Sequence, residues 1–259
     1  MERKNSMGKI YAMSDIHGYL EIMEENLKKV DLENRENQLI FCGDYLGCGP
    51  ESCQTLYRIK DLMETYPHQV IALKGNHETM FLEFMEVGHK DVWNVEWIGG
   101  DKGLSTLNSF ISETGRDRIN KLEKAIPNPI DLAYGIAKTG KDDIKENHKD
   151  LIIWLKELPL YHEEENQIFV HAGIDEDAGD WWKHGTSEEV FVNKYPARFG
   201  KFYKDIVAGH IGTYSLKNDK NFHDIYWDGE SHYYIDGTVE ISGRIPLLVY
   251  DKKTGKYLY

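Results

Sequence analysis

Short apolar runs alternate with helix-like segments over the first third of the chain. Three short, continuous and apolar runs predict buried strands, at residues 10–13, 38–42 and 70–73. Between and after them, apolar residues recur three or four positions apart, which predicts helices over residues 21–30, from 50 to about 66, and up to about 87. This β-α-β-α-β-α order predicts an α/β fold with a parallel sheet and crossover helices.

The remainder of the chain divides into a helical and a strand-rich part. Residues 88–160 have helix-like patterns punctuated by Gly99-Gly100 and by Pro127-Asn128-Pro129, so we expect a helical insertion there that covers one side of a site. From Gln167 onwards, strands are predicted in QIFVHAGI, DIVAGH, HYYIDG, IPLLVYD and KYLY. The DKKTG segment between the last two is typical of a hairpin turn. We expect residues 1–259 to form one domain.

Composition describes an ordinary globular protein with an acidic balance. The chain has 259 residues, of which 41% are hydrophobic and 29% are charged. Lys and Arg total 31 and Asp and Glu total 44, so the formal net charge is −13. This balance argues against a partner of duplex nucleic acid, which needs a basic surface to displace counterions. It also argues against a polybasic attachment to a membrane.

Cysteine usage and the N-terminal sequence bear on location. The three cysteines, Cys42, Cys48 and Cys53, form neither a disulfide framework nor a C-x-x-C pair, which favours a reducing compartment. Residues 1–9 are polar and charged, so we expect no signal peptide. No apolar run approaches the roughly 18 residues that span a bilayer. A cytoplasmic location is therefore expected.

Polar residues that a buried core would not need follow several of the predicted strands. These strand ends read Asp15-Ile16-His17-Gly18, Gly43-Asp44, Gly75-Asn76-His77-Glu78, Val170-His171-Ala172 and Gly209-His210. Ligands of open α/β sheets bind at the carboxyl ends of parallel strands, so we expect these side chains to meet. Asp15 and His17 are two residues apart, so on an extended segment they can face one ion. This mixed carboxylate, amide and imidazole set suits manganese, iron or zinc.

Each of these residues alone has a more ordinary explanation. A single histidine after a strand, such as His171, is usually a hydrogen-bonded structural residue. Asp15 could cap a turn or a helix, and Asn76 and His77 could begin a helix. The metal-site hypothesis rests on the whole set, in this order and at these strand ends.

These strand-end segments resemble the motifs of calcineurin-like metallophosphoesterases. SDIHG at residues 14–18 resembles their G-D-x-H-G motif, and Gly43-Asp44 resembles the start of the second motif. Residues 75–78, GNHE, resemble the third motif, and the segments at His171 and His210 resemble the two late histidine motifs. The resemblance covers residues 10–250. It is closest to bacterial and bacteriophage-lambda-type members of the phosphoprotein phosphatase family.

The resemblance implies a fold, a metal centre and a mechanism. The implied fold is a β-sandwich flanked by helices. One divalent ion would be bound by Asp15, His17 and Asp44, and Asp44 would bridge to a second. That second ion would be held by Asn76, His171 and His210. A hydroxide shared by the two ions would attack phosphorus in line, and His77 would protonate the leaving oxygen. Manganese is the expected metal, with iron, zinc or nickel as alternatives.

The chain departs from the family pattern in the second motif. Where the family has G-D-x-x-D-R-G, Gly47 replaces the Asp that supports the catalytic histidine, and Cys48 replaces the Arg that clamps phosphate. Three other basic residues are weak candidates for the phosphate-binding role, namely Lys74, Lys183 and Arg198. Cys48 is expected to fill space, with a redox-sensitive thiol or an extra metal ligand as alternatives.

Several functions remain open from the sequence. The first hypothesis is a phosphatase of phosphoserine, phosphothreonine or phosphotyrosine in proteins. A dinucleoside-tetraphosphate or other nucleotide hydrolase is the alternative within the same chemistry. The loss of the family Asp and Arg also admits a weakened enzyme or a binding protein, whereas the acidic balance disfavours a nuclease. Aromatic residues that could stack on a nucleobase, although a core position is more usual, are Trp93, Trp97, Trp181 and Trp182.

Overall fold

The secondary structure is taken from a computed structural model that describes residues 8–259, and of Asp101 only the main chain. Residues 1–7, on which most of the signal-peptide expectation rests, lie outside this range. The strands are β1 (Lys9–Met13), β2 (Gln38–Phe41), β3 (Val70–Ala72), β4 (Tyr161–Glu163), β5 (Gln167–Val170), β6 (Asp205–Ala208), β7 (Tyr226–Trp227), β8 (His232–Tyr234), β9 (Leu248–Asp251) and β10 (Lys256–Leu258).

The helices lie mostly between β1 and β4. They are α1 (Leu20–Leu27), α2 (Ser52–Thr65), α3 (Asn76–Glu86), α4 (Val92–Gly99), α5 (Asp101–Phe110), α6 (Glu113–Ala125), α7 (Pro129–Asn147), α8 (Lys149–Lys156), α9 (Trp182–Gly185), α10 (Glu188–Asn193), α11 (Thr213–Lys217) and α12 (Val239–Ser242). A 3₁₀ turn covers Glu176–Trp181. None of these helices is long and apolar enough to span a bilayer.

The strands form two five-stranded mixed sheets. The first has the order β10-β9-β1-β2-β3. In it β1, β2 and β3 are parallel to one another, β9 is antiparallel to β1, and β10 is antiparallel to β9. The second has the order β4-β5-β6-β8-β7, in which β5, β6 and β8 are parallel and the two edge strands are antiparallel. The predicted parallel start of the chain and the hairpin at residues 251–255 are confirmed.

The two sheets pack face to face because side chains alternate along each strand. Ile10 and Ala12 of β1 point into the layer between the sheets, where they join Phe169 and Val207 of the second sheet. Tyr11 and the following Met13 point the other way, into the layer between the first sheet and the helices. This gives the sandwich flanked by helices that the resemblance implied.

Helices cover the outer face of each sheet. The outer face of the first sheet contacts the large cluster that α1 to α8 contribute, and α4 to α8 all lie within the stretch 88–160. In that cluster Phe84 of α3 stacks on Trp97 of α4 with ring centroids 3.9 Å apart. On the outer face of the second sheet, Trp182 and Phe191 pack against Ile168 and Val170 of β5.

The sequence patterns missed two edge strands. Strand β4 is only three residues long and β7 only two, and each pairs with a single neighbour at a sheet edge. Edge strands of this kind leave too few buried positions for an alternating pattern to be recognised. The helix predicted over residues 21–30 is also shorter than expected, because it ends at Leu27.

Candidate metal centre

The loops that follow β1, β2, β5 and β6 are tied together by main-chain hydrogen bonds. Asp15 N–H donates to the carbonyl of Gly43 at 3.1 Å, and His17 N–H donates to that of Asp44 at 2.9 Å. In the second sheet Gly209 N–H donates to the carbonyl of His171 at 2.8 Å. These bonds hold the polar strand ends beside one another, as their positions in the sequence predicted.

Two groups of side chains at this edge have the geometry of a metal site. His17, Asp44 and His77 form one group, and Asp44, His171 and His210 form the other, with ligand atoms within 4.8 Å of one another in each. Asp44 belongs to both groups. Its Oδ1 lies 3.4 Å from His171 Nε2, and its Oδ2 lies 3.9 Å from both His17 Nε2 and His77 Nε2.

Asp15 and Asn76 border these groups. Asp15 Oδ1 lies 3.8 Å from His17 Nε2, and the Asp15 carboxylate accepts a hydrogen bond from His210 N–H at 3.0 Å. The Asn76 amide lies 2.9 Å from His171 Nε2. The six predicted ligands are therefore neighbours, although His77, and not Asp15, completes the first geometric group.

Two of the histidines are oriented by a bond on the ring nitrogen that faces away from the cluster. His17 Nδ1 lies 2.8 Å from the carbonyl of Leu46, and His171 Nδ1 lies 2.8 Å from that of Cys42. A carbonyl can only accept, so Nδ1 carries the proton in each ring. The Nε2 lone pairs of both rings are then free to bind a cation, which is the usual arrangement of histidine ligands.

The main chain at four of the predicted ligands has left-handed dihedral angles. The φ values are 54° at Asp15, 48° at His17, 58° at Asp44 and 67° at His210. Residues other than glycine rarely adopt this conformation, which costs about 1 to 3 kcal/mol at each position. Strain of this kind persists where the surrounding structure imposes it, and it is typical of functional sites.

One glycine allows the two halves of the site to approach each other. A Cβ atom at Gly209 would collide with Asp15 Oδ2 and with Ser14 Oγ. The main chain before His210 can therefore reach the Asp15 carboxylate only because residue 209 has no side chain.

The donor set fits a divalent cation. One terminal atom of the Asn76 amide lies 2.9 Å from His171 Nε2, 3.2 Å from His210 Nδ1, and 3.2 and 3.3 Å from the two Asp44 carboxylate oxygens. All four neighbours are acceptors with lone pairs facing the same space. The amide NH₂ has two hydrogens and can donate to two of them at most. A half-turn of the amide would instead supply an oxygen ligand to an ion placed among them.

The pKa values of the two acids of this cluster, Asp15 and Asp44, are shifted in opposite directions. Burial raises the pKa of Asp15 well above its usual range, and the charges of Asp236 and Asp44 add to this effect. Burial would also raise the pKa of Asp44, but the neighbouring His171, His77 and His17 bring it below its usual range. A bound cation favours the charged form of both carboxylates.

Burial is also the main cause of the lowered pKa values of His77 and His210. It lowers the pKa of His77 to about 3; the Asp44 carboxylate opposes this effect, and the charges of His17, Lys102 and His171 add to it. The pKa of His210 is lowered to about 4, again by burial first. Both rings are therefore neutral near pH 7, which is the form in which imidazole binds a metal.

A comparison with protein families identifies the chain. The family model described as calcineurin-like phosphoesterase matches residues 8–250. The chain belongs to the calcineurin-like phosphoesterase family. The resemblance seen in the motifs is thereby confirmed, and this family is dinuclear metal dependent.

Relatives of this calcineurin-like phosphoesterase are named after two different kinds of substrate. The symmetrical bis(5'-nucleosyl)-tetraphosphatase of Psychromonas ingrahamii is 22% identical over 207 residues, which cover 79% of this chain and 58% of that protein. The serine/threonine-protein phosphatase 2 of Escherichia coli is 33% identical over 92 residues, covering 36% of this chain and 38% of that protein. The chain thus spans less than two thirds of these relatives' own length.

A solved structure shows the same fold. The cold-active protein-tyrosine phosphatase of a psychrophilic Shewanella species superposes with a TM-score of 0.53 at 14% sequence identity. The superposition covers 96% of this chain and 79% of the Shewanella chain.

Glu78 supports the site although its role was not predicted from the sequence. Its side chain is fully buried, and its Oε2 accepts hydrogen bonds from the N–H groups of Asp44 at 2.8 Å and Gly75 at 2.9 Å. Its Oε1 accepts from Tyr45 at 2.8 Å and Leu46 at 3.2 Å. Burial raises the pKa of Glu78 to about 7, and the charge of Asp44 adds to this effect while the hydrogen bonds oppose it. The acid at the third helical position after Gly75 was a recognisable signal.

The altered second motif has a compact conformation of its own. A Cβ atom at Gly47 would lie 2.5 Å from His17 Nδ1 and 2.8 Å from His17 Cβ. Helix α5 holds this loop, because Thr106 Oγ1 donates to the carbonyl of Gly47 at 3.2 Å and Ser105 Oγ donates to that of Cys48 at 3.0 Å. The loop therefore has no room for the Asp of the family motif at position 47.

The three predicted phosphate-binding residues lie in ion pairs. Lys74 Nζ is 3.6 Å from Glu188, Lys183 pairs with Glu163, and Arg198 is 2.9 Å from Asp177. None of the three lines the cavity beside His77, as far as residues 8–259 show. Each of them has a carboxylate as its nearest charged partner, and their role in phosphate binding stays a prediction.

A different lysine lies beside the site. Lys102, in the first turn of α5, lines a cavity of about 480 Å³ together with Asn76 and His77. Of the four candidate stacking residues, Trp93 and Trp97 also line this cavity. Trp182 is fully buried under the second sheet, and Trp181 is 72% exposed.

Proposed function

We propose that this chain hydrolyses phosphoric esters at a centre of two divalent metal ions, most simply manganese. The observation that carries the proposal is Asp44, whose carboxylate belongs to both ligand groups. A shared carboxylate is the feature that places two ions close enough to act on one phosphoryl group.

The ligands divide between the two ions. Asp15, His17 and Asp44 would hold one ion. The other would be held by Asn76, His171 and His210, together with the shared Asp44. The left-handed main chain and the carbonyl-bound imidazoles fix these groups before any ion binds, so little reorganisation is needed.

The chemistry follows from this arrangement. Two bound divalent ions would lower the pKa of water and neutralise charge on the phosphoryl group. The oxygen of water forms the new bond to phosphorus, and the bond from phosphorus to the leaving oxygen breaks. His77, whose Nε2 faces Asp44 Oδ2 at 3.9 Å, is placed to give the leaving oxygen its proton. The negative charge of a bound phosphoryl group beside the ring favours the protonated form that this role requires, and the charges of the two ions oppose it.

Two substrate classes fit this chemistry. Phosphoserine, phosphothreonine or phosphotyrosine in proteins is the class that the sequence motifs favour. A dinucleoside tetraphosphate or another nucleotide is favoured by the cavity of about 480 Å³ beside His77, which has the size of a small-molecule site. The insertion helices α4 and α5 wall this cavity, so a compact substrate fills it better than an extended peptide does. We therefore favour the nucleotide.

Two further expectations accompany this proposal. Residues 1–259 would act as one metallophosphoesterase domain, with the insertion at 88–160 forming one wall of the site. Cys42, Cys48 and Cys53 are all unpaired, which supports a reducing, cytoplasmic location.

A comparison of substrates tests the proposal. Purified protein would be assayed with p-nitrophenyl phosphate, a phosphoserine peptide, a phosphotyrosine peptide and diadenosine tetraphosphate, with manganese and with EDTA. We expect metal-dependent hydrolysis, with the highest kcat/KM on the nucleotide. Hydrolysis of a phosphopeptide alone would overturn the substrate preference. Hydrolysis of none of the four, or hydrolysis that EDTA leaves unchanged, would overturn the proposed function.

A further inference from the structure

The cavity beside His77 has two unlike sides. The site itself forms one end, where Asn76 and His77 reach the cavity from the start of α3. Helices α4 and α5 of the insertion contribute another part of the lining, with Trp93, Glu96 and Lys102. A molecule whose phosphoryl group lies on the metal ligands would therefore extend toward the insertion.

Lys102 is the lysine of this cavity, which it lines together with Asn76 and His77. It is exposed, and no ion pair to it occurs among the side chains that the structure describes. A lysine placed in this way can attract a second anionic group beside the scissile phosphate.

The apolar part of the wall suits a flat ring. Met80, Phe81 and Trp93 also line the cavity. Trp93 is only partly buried, unlike Trp97, which is stacked on Phe84. Stacking on an aromatic side chain stabilises a bound nucleobase. The Glu96 carboxylate adds an acceptor for an amino or hydroxyl group at the rim.

We propose that the insertion provides a second binding subsite, in which Lys102 binds a phosphate group adjacent to the scissile one and Trp93 packs against the attached nucleoside. The subsite would select substrates with two or more linked phosphates over simple phosphomonoesters. This inference rests on the proposed function, since it places the scissile phosphate on the metal ligands.

A single lysine would be enough for this selection because the chain as a whole carries a net negative charge. The formal net charge of −13 repels a polyphosphate from most of the surface. Lys102 compensates locally at the place where the second phosphate would lie. Methionine at this position keeps the length of the side chain and removes only its charge, so Lys102→Met separates charge from packing.

Kinetics on two substrates test Lys102. With manganese, we expect Lys102→Met to lower the ratio of kcat/KM for diadenosine tetraphosphate to kcat/KM for p-nitrophenyl phosphate about tenfold, mostly through KM. Lys121→Met, which removes an exposed lysine from another helix of the insertion, is the control and should leave this ratio unchanged. An equal loss on both substrates, or no loss, would overturn the role of Lys102.

Binding measurements provide a second readout. By calorimetry, Lys102→Met should weaken the binding of ADP about tenfold and leave adenosine unaffected, whereas Trp93→Leu should weaken both ligands. The inference fails while the proposed function survives if the wild-type protein hydrolyses p-nitrophenyl phosphate but binds neither ADP nor diadenosine tetraphosphate. Absence of all hydrolysis instead contradicts the proposed function.

Discussion

Glu78 Oε2 accepts a hydrogen bond from the main-chain N–H of Asp44 at 2.8 Å, so a buried acid holds the residue that both ligand groups share. The same carboxylate accepts hydrogen bonds from the main-chain N–H groups of Gly75, Tyr45 and Leu46. It thereby ties the start of α3, which carries Asn76 and His77, to the loop after β2. Four main-chain donors on one side chain explain why these two segments keep a fixed distance.

Glu78→Gln is expected to destabilise the protein by about 3 kcal/mol. The amide NH₂ of glutamine would face main-chain N–H groups, and buried donors without acceptors cost about 1 to 3 kcal/mol each. Urea denaturation measures the change. Glu83→Gln on the exposed side of the same helix is the control, with an expected change below about 0.5 kcal/mol. If Glu78→Gln unfolds at the same urea concentration as the wild-type protein, Glu78 does not hold this loop.

His77→Ala is expected to lower kcat by about 100-fold while the manganese content stays the same. Loss of a general acid typically costs 100-fold or more, whereas loss of a ligand would also release metal. Kinetics with p-nitrophenyl phosphate and elemental analysis of the same sample measure both quantities. His89→Ala, at an exposed position, is the control. A loss of metal in His77→Ala would mean that His77 is a ligand, as its place in the first geometric group allows.

Gly47→Ala is expected to weaken metal binding and to lower stability by about 2 kcal/mol. The new Cβ would lie 2.5 Å from His17 Nδ1, so the ring must leave the carbonyl of Leu46. Manganese titration and thermal unfolding measure the two effects. Gly99→Ala is a matched control, because a Cβ there meets no atom within 4 Å. For the same reason, the double change Gly47→Asp with Cys48→Arg should reduce turnover, and an increase would contradict the loop conformation.

The metal-ligand set was accessible from the sequence because each ligand follows a strand. The parallel strands β1, β2 and β3 end at one edge, and β5 and β6 of the second sheet end beside them, so Asp15, Asp44 and His171 become neighbours whatever the loops do. The supporting residues were harder to find. Glu78 is an acid in a helix, and only the fold reveals that its carboxylate meets the loop of another strand.

His232 makes stability depend on pH outside the metal centre. Its Nδ1 lies 2.9 Å from Asp228 Oδ2, and its Nε2 lies 3.2 Å from Glu176 Oε2. Lys194 donates a hydrogen bond to the same Glu176 carboxylate, and the charge of Asp205 also acts on His232. Burial would lower the pKa of His232, but the two bonded carboxylates raise it above the usual value.

The sign of the pH effect follows from proton binding. The folded protein holds this proton more tightly than the unfolded chain, so the stabilisation is complete below about pH 6.5 and is lost as pH rises through the raised pKa. Urea unfolding from about pH 6 to 8 should show a smaller loss of stability in His232→Gln than in the wild-type protein. His184→Gln, at an exposed position, should keep the wild-type dependence of the free energy of unfolding on pH. An unchanged slope in His232→Gln would assign the pH dependence to other groups.

The surroundings of the basic residues could not be predicted from the sequence for a physical reason. Lys74, Lys183 and Arg198 lie near motifs in the chain, but each has a carboxylate partner that only the folded structure brings to it. Lys102 lies in the insertion, far in sequence from every motif, and it reaches the cavity because α5 packs on the loop at Gly47 through Thr106. Neither these ion pairs nor the packing of α5 on the loop leaves a pattern in the neighbouring sequence that would predict it.

The stoichiometry of metal binding tests the central claim most directly. Metal-stripped protein would be titrated with manganese by calorimetry, and the content of the loaded protein would be checked by elemental analysis. The geometry around Asp44 predicts two ions per wild-type chain, and fewer than one tightly bound ion per chain in Asp44→Ala, since both sites lose a ligand. One ion or none in the wild-type chain, or two ions retained in Asp44→Ala, would contradict the shared centre.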